Sequence, residues 1–241
     1  YAFRRIVKSS PTNLERIQLN TLTSEDLLSS ESNSTGNPVF KLNSDNEINE
    51  DLKFEKMWEH KIHDEGVFDF IEISTHLFLN NKPDQKSIVS CSADGSVALW
   101  DLENPVKNQK KSSSIPGTLR CIDANSNLGN CIRVGGHLGK IYEWEILGSS
   151  WEDVEWTLKQ EFNVGKNTIF QMVHHQNGYA FGGRDAKIWL ADDHINIHNQ
   201  IDAHWFSIHA LAFSPQGNYL VSGSMDKSIR LWNAVSGEIL V

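Results

Sequence analysis

The sequence has no run of about eighteen apolar residues, so it offers no conventional membrane-spanning helix. Basic side chains are also in short supply. Lys and Arg number 22 against 31 Asp and Glu, a formal net charge of −9. A general nucleic-acid or anionic-membrane binder wants a basic stripe, so neither a nucleic-acid nor a membrane partner is expected. Cysteine is scarce. Cys91, Cys121 and Cys131 are odd in number and lack metal-ligand spacing. They read as small buried residues of a chain kept in a reducing, cytoplasmic compartment. The first residues, YAFRRIVKSS, lack the apolar centre of a secretory signal, so the triplet Asn33-Ser34-Thr35 reads as chance and not as a glycan acceptor.

What the chain does contain is a period. Trp100, Trp144, Trp189 and Trp232 each close a short apolar run, at intervals of 44, 45 and 43 residues. A repeat of roughly 40–45 residues is the length of one four-stranded propeller blade. The flanking text agrees. IVSCSADGSVALWDL and YLVSGSMDKSIRLWNA each hold an apolar strand, a small-residue patch, an Asp in a tight turn and a second strand ending in Trp. Asp-Gly or Asp-Lys at such a bend is a hairpin signal. Strand alternation puts Val97 and Leu99 on one face and Ser96, Ala98 and Trp100 on the other. Neither face is strongly polar, as expected of a sheet sandwiched between two others.

At these offsets the chain resembles the WD-repeat β-propeller family, over about residues 51–241. GGRDAKIW and AHWFSIHALAFSPQG make it similar to the stand-alone bacterial WD-repeat proteins in particular. The resemblance implies an all-β fold, a propeller of four-stranded antiparallel blades. Because the family most often closes with seven blades, it also implies an incomplete portion of a larger ring. It further implies two structural tetrads, His63, Ser90, Asp94 and Trp100, and His204, Ser222, Asp226 and Trp232. In that family such side chains hydrogen-bond across one blade. The other two repeats deviate. Asp185 to Trp189 spans four residues where Asp94 to Trp100 and Asp226 to Trp232 span six. We read this as a deletion of two, which keeps the tryptophan on its face. The Trp144 repeat has His137-Leu138-Gly139 in place of the turn Asp, and both repeats lack the leading histidine. Packing is expected to hold these two blades.

The resulting map is one partial propeller domain over 1–241. Residues 1–9 end a truncated blade, and 10–50 form a divergent blade or an insertion. Residues 51–106, 107–150, 151–193 and 194–241 make one blade each, with the next blade missing. NPVKNQKKSSSIPG reads as an exposed connection. SWEDVEWTLKQEF has helical spacing at Trp151, Val154 and Leu158 but stands where an outer strand belongs, so strand is expected. The acidic stretch 43–60 reads as a solvated loop.

Three competing chemistries are set aside, two on spacing and one on the resemblance. VGGHLGKI lacks the first Gly and the Ser or Thr of a phosphate loop. His174-His175 and Asp192-Asp193-His194 with His198 give no convergent ligand geometry, so no metal and no cofactor are expected. Ser222, His204 and Asp226 contain the residue types of a catalytic triad, but the resemblance assigns them to a buried network, and no catalytic residue is expected. Recognition remains. Trp205 and Phe206, following His204, and Arg184 and Met225, each preceding a turn Asp, are the candidate face for protein partners. The function expected is a non-catalytic protein–protein interaction scaffold. The alternative is a regulatory or catalytic propeller within a larger enzyme.

Overall fold

The computed structural model describes residues 59, 61–74, 86–124, 129–176 and 178–241, all within one compact unit of the chain. The readings of residues 1–9 and 10–50, and of the loop before Lys86, lie outside the described residues. The described part is a string of antiparallel sheets. The first contains β1 (Val67–Ser74), β2 (Lys86–Ser92), β3 (Val97–Asp101) and β4 (Gln109–Lys111). The second contains β5 (Leu119–Asp123), β6 (Cys131–Gly136), β7 (Lys140–Leu147) and β8 (Glu155–Asn163). The third contains β9 (Ile169–His175), β10 (Gly178–Gly183), β11 (Lys187–Ala191) and β12 (Ile197–Asp202). The fourth contains β13 (Ile208–Phe213), β14 (Tyr219–Ser224) and β15 (Ile229–Asn233). No α-helix occurs among the described residues.

The sheets are the blades of a β-propeller. The first strands of successive sheets touch, β1 with β5, β5 with β9 and β9 with β13, so they form the inner ring. Each sheet is an up-and-down meander running outward from that ring. Its fourth strand comes from residues beyond the tryptophan that closes the sequence repeat. QKK, read as part of an exposed connection, is in fact strand β4, paired to β3 through Leu99↔Lys110 and Trp100↔Gln109. Its three residues give it too little pattern to be recognised. EWTLKQEFN is a strand, and its predominantly exposed residues mark it as an outer edge.

Burial follows the same geometry. β3 and β10 are buried along their whole length, and β10 has a described blade on each side. The core is therefore a series of slabs between blades. One slab contains Val89, Leu99, Ile132, Trp144, Ile146 and Trp151. The next contains Ile141, Ile169, Met172, Tyr179 and Phe181, and the third Ile188, Ile208, Leu211, Leu220 and Trp232. Each such large apolar side chain contributes about 1.5–3 kcal/mol on burial.

Every inner strand carries one extra residue just inside its start. Pairing jumps from Val67↔Ser92 to Asp69↔Cys91, leaving Phe68 bulged. The same step leaves Arg120 bulged on β5, Phe170 on β9 and His209 on β13. Opposite each bulge stand small residues, Cys91-Ser92, Gly135-Gly136, Gly182-Gly183 and Gly223-Ser224. This explains the small-residue patch in each repeat. A Cβ on Gly182 would come within 2.8 Å of Ile208 Cγ2 on the next blade, so glycine allows that blade to approach.

Register also corrects the reading of the third repeat. Trp100, Trp144 and Trp232 each lie three residues past the last strand pair before the turn, at Val97, Ile141 and Ile229. In the third sheet that last pair is Gly182↔Ile188, with a turn of the same length. The equivalent position is therefore Ala191, and Trp189 stands two positions earlier. Nothing is deleted. Bulk has been exchanged instead: Phe181 occupies the place held by Ser90 and Ser222, and Ala191 the place held by Trp100 and Trp232.

Candidate interaction face

Two blades carry a complete hydrogen-bonded network. In the fourth, Trp232 Nε1 donates to Ser222 Oγ at 2.8 Å, and Ser222 Oγ lies 2.7 Å from His204 Nε2. His204 Nδ1 sits 2.9 Å from Asp226 Oδ2. A carboxylate only accepts, so Nδ1 carries the proton and Nε2 accepts from the serine hydroxyl. The chain of donors is thus Trp232 to Ser222 to His204 to Asp226. In the first blade Trp100 Nε1 donates to Ser90 Oγ at 2.8 Å, which lies 2.8 Å from His63 Nε2. His63 Nδ1 reaches Asp94 through Ser96, whose hydroxyl donates to Asp94 Oδ1.

Ser96 and Ser228 are members of these networks that the sequence reading missed. The signal was present in ADGS and MDKS, each with Ser two residues after Asp. Both serine amides also donate to their Asp at 2.9 Å, closing Asx turns. Burial alone would raise the Asp94 carboxyl, but bonds from Ser96, the Asp64 amide and Lys111 outweigh it and hold the group well below 3.8. Asp226 is lowered in the same way, with bonds from Ser228, the Trp205 amide and His204 overcoming burial. Burial likewise depresses His63, against the pull of Asp94.

Ser222, His204 and Asp226 have the connectivity of a hydrolytic triad. Ser222 is 0% exposed, however, and its oxygen already takes the tryptophan proton. No substrate reaches such a hydroxyl, so the arrangement fixes the turn and the incoming loop.

The other two blades use different means. Trp144 is buried with an indole nitrogen that has no partner, so apolar contact holds it, including an edge contact with Trp156 at 6.4 Å. Trp189, displaced by two positions, donates directly to Asp185 Oδ2 at 3.0 Å. His174 meets Asp193 at 2.9 Å, while His194 and His198 stay exposed. Among the described residues no group of three or more metal-ligating side chains converges.

One hydrogen bond recurs in all four blades. The residue before the turn Asp position donates its amide to the carbonyl just ahead of the inner strand: Ala93 to Gly66, His137 to Thr118, Arg184 to Thr168 and Met225 to Ser207. It joins each β-turn to the loop entering the same blade. Further bonds run between blades, from Ile115 to Gly95, Val164 to Gly139 and His204 to Ala186. One continuous face results. Arg184 and Met225 occupy equivalent positions on it, both exposed. Trp205 and Phe206 share it, 84% and 63% exposed, and Met225 is 65% exposed. The Trp205 amide donates to Asp226 Oδ2 and the Phe206 carbonyl accepts from Ser224 Oγ, so the loop backbone is fixed while its side chains stand out.

A sequence profile described as WD domain, G-beta repeat matches residues 74–101 and 196–233. Those segments hold Ser90, Asp94 and Trp100, and the whole second tetrad. The chain is 32% identical to mitotic checkpoint protein bub-3 of Caenorhabditis elegans over 97 residues, 40% of this chain and 26% of that protein. It is 30% identical to striatin-4 of Homo sapiens over 169 residues, 63% of this chain and 20% of that protein. It is 25% identical to apoptotic protease-activating factor 1 of Homo sapiens, covering 62% of this chain and 13% of that protein. The chain therefore spans about a quarter or less of these relatives. Blades, tetrads and matches together show that the chain carries WD repeats on a β-propeller fold and is similar to WD-repeat proteins.

Proposed function

We propose that the protein is a non-catalytic protein–protein interaction scaffold, and that it presents Trp205, Phe206, Met225 and Arg184 to a protein partner. The exposure of Trp205 carries this reading. Its neighbour His204 has a fully sealed side chain, yet Trp205 itself is 84% exposed. A rigid anchor directly beneath a large exposed aromatic is the arrangement of an interface hot spot, because little loop entropy is lost on binding. Lys166, Arg184 and Lys227 lie exposed on the same face, and their side chains make no hydrogen bond or ion pair with the described residues, which suits an apolar segment flanked by acidic groups. The net charge of −9 favours a protein partner over a nucleic acid. Three cysteines outside any disulfide, two of them buried, favour a reducing, cytoplasmic setting. Among the described residues no helix is long and apolar enough to cross a membrane.

The test is affinity capture with mass spectrometry, comparing the wild type with the Trp205→Ala, Arg184→Ala double variant. Loss of the captured partner at an unchanged melting temperature is expected. Unchanged capture with a lowered melting temperature would assign these side chains to packing instead.

A further inference from the structure

The four bulged residues form one column across four blades. Arg120 Cζ lies 4.1 Å from the ring centre of Phe68 on the preceding blade and 5.2 Å from that of Phe170 on the following one. Phe170 in turn stacks on His209, with centres 4.8 Å apart and planes 27° from parallel. All four belong to the inner strands, so the column runs along the axis-facing edge of the propeller.

Arg120 is the unusual member. Its side chain makes no hydrogen bond or ion pair with any described residue, and its Nε is buried without a partner. The nearby carboxylate of Asp69 is turned to backbone, accepting from the amides of Phe70 and Ile122. By contrast Arg133, the other arginine stacked on rings, is fully engaged by Glu143 and the Asp193 carbonyl. A guanidinium covered by aromatic rings keeps its faces for cation–π contact and leaves its in-plane edge as a two-donor fork. Among the described residues neither terminal nitrogen of that fork has a partner, which leaves both for a ligand.

We propose that this column is an anion receptor, in which Arg120, flanked by Phe68 and Phe170, takes the carboxylate of an acidic side chain from a protein partner. Taking the ligand from a protein rests on the scaffold reading above. A planar carboxylate enters the slot between two rings edge-on and meets the fork with both oxygens, whereas a tetrahedral phosphate must direct oxygens at the rings. His209 supports the same site. Burial lowers its pKa, and the Arg120 charge lowers it further. An anion seated beside both relieves that repulsion. General charge attraction cannot imitate the effect, since the whole chain carries −9.

The probe is a fluorescein-labelled Glu-containing hexapeptide, titrated into the full chain beside its Gln and phosphoserine counterparts, with His209 followed by NMR. The Glu peptide is expected to bind, to shift His209 toward higher pKa, and to lose roughly tenfold or more in affinity with Arg120→Gln. The His209 shift needs no variant, so it stands even if Arg120→Gln folds poorly. Equal binding of the Gln peptide, binding of the phosphoserine peptide alone, an unmoved His209, or affinity retained in a folded Arg120→Gln would each overturn the proposal. The Trp205→Ala, Arg184→Ala variant should bind the Glu peptide normally. Its partner capture therefore reports on the scaffold reading separately.

Discussion

Replacing Asp123 with Asn should make the protein more stable at neutral pH, by an amount that grows with pH. Asp123 sits on β5 opposite Arg133, but Arg133 is committed to Glu143 at 2.8 Å. One Asp123 oxygen is sealed without a hydrogen-bond partner. Burial raises the carboxyl to about 7 from 3.8, Arg133 opposes this and Asp69 adds to it. The folded state thus holds a proton that the unfolded chain releases. Between pH 3.8 and about 7 the folded form binds more protons, so stability falls as pH rises through that window and is flat outside it. The interval corresponds to about 4 kcal/mol at 1.36 kcal/mol for each pH unit. Asn mimics the protonated acid and does not titrate. Urea unfolding of both proteins at half-unit steps from pH 3.5 to 8.5 measures the difference. The slope contributed by His63, whose depressed pKa makes stability fall below about pH 6.5, cancels in that comparison. A wild-type-minus-variant difference that stays constant across the range would refute the reasoning.

Ser222→Ala removes the oxygen shared by His204 and Trp232 and should destabilise by roughly 2–4 kcal/mol in urea unfolding, since two buried groups lose their partner. Trp144→Phe should cost less than Trp100→Phe by about 1–2 kcal/mol in the same assay, because only Trp100 has an indole bond to lose. Ala186, held at φ 61, should become Gly with a gain of about 0.5–1 kcal/mol, read as a higher urea midpoint. Gly95→Ala is expected to be severely destabilising, because its Cβ would stand 2.1 Å from the Ile115 carbonyl at φ +76; a melting temperature near that of the wild type would contradict the turn geometry.

The blade architecture was legible because it depends on a pattern repeated along the chain. Strand, small patch, Asp turn and tryptophan each impose a residue type, and the resemblance those residues carry implied both complete tetrads. The third blade was misread for the same reason. Trp189 preserves the even interval, yet pairing puts Ala191 at the tryptophan's structural position. Face parity could not reveal a shift of two, since a strand repeats every two residues. The axial column left no trace at all. A bulge imposes no residue type, so Phe68, Arg120, Phe170 and His209 share no chemistry in the sequence, and only the closure of blades around an axis stacks them. Strand β4 was missed because three polar residues carry no periodicity.

Sheet and sequence repeat are out of step by one strand, and this sets what recombination can exchange. Grafts joined at sheet boundaries, in 112–118, 164–168 or 203–207, would keep every sheet whole but place their seams in the loops of the face proposed for recognition. Grafts joined just past the tryptophans, in 102–108 or 148–154, would leave that face intact and split each sheet three strands to one. The borrowed strand would then have to pair with a foreign partner. A lineage varying its repeats by duplication therefore chooses between reshaping what it recognises and testing whether its neighbours still interlock.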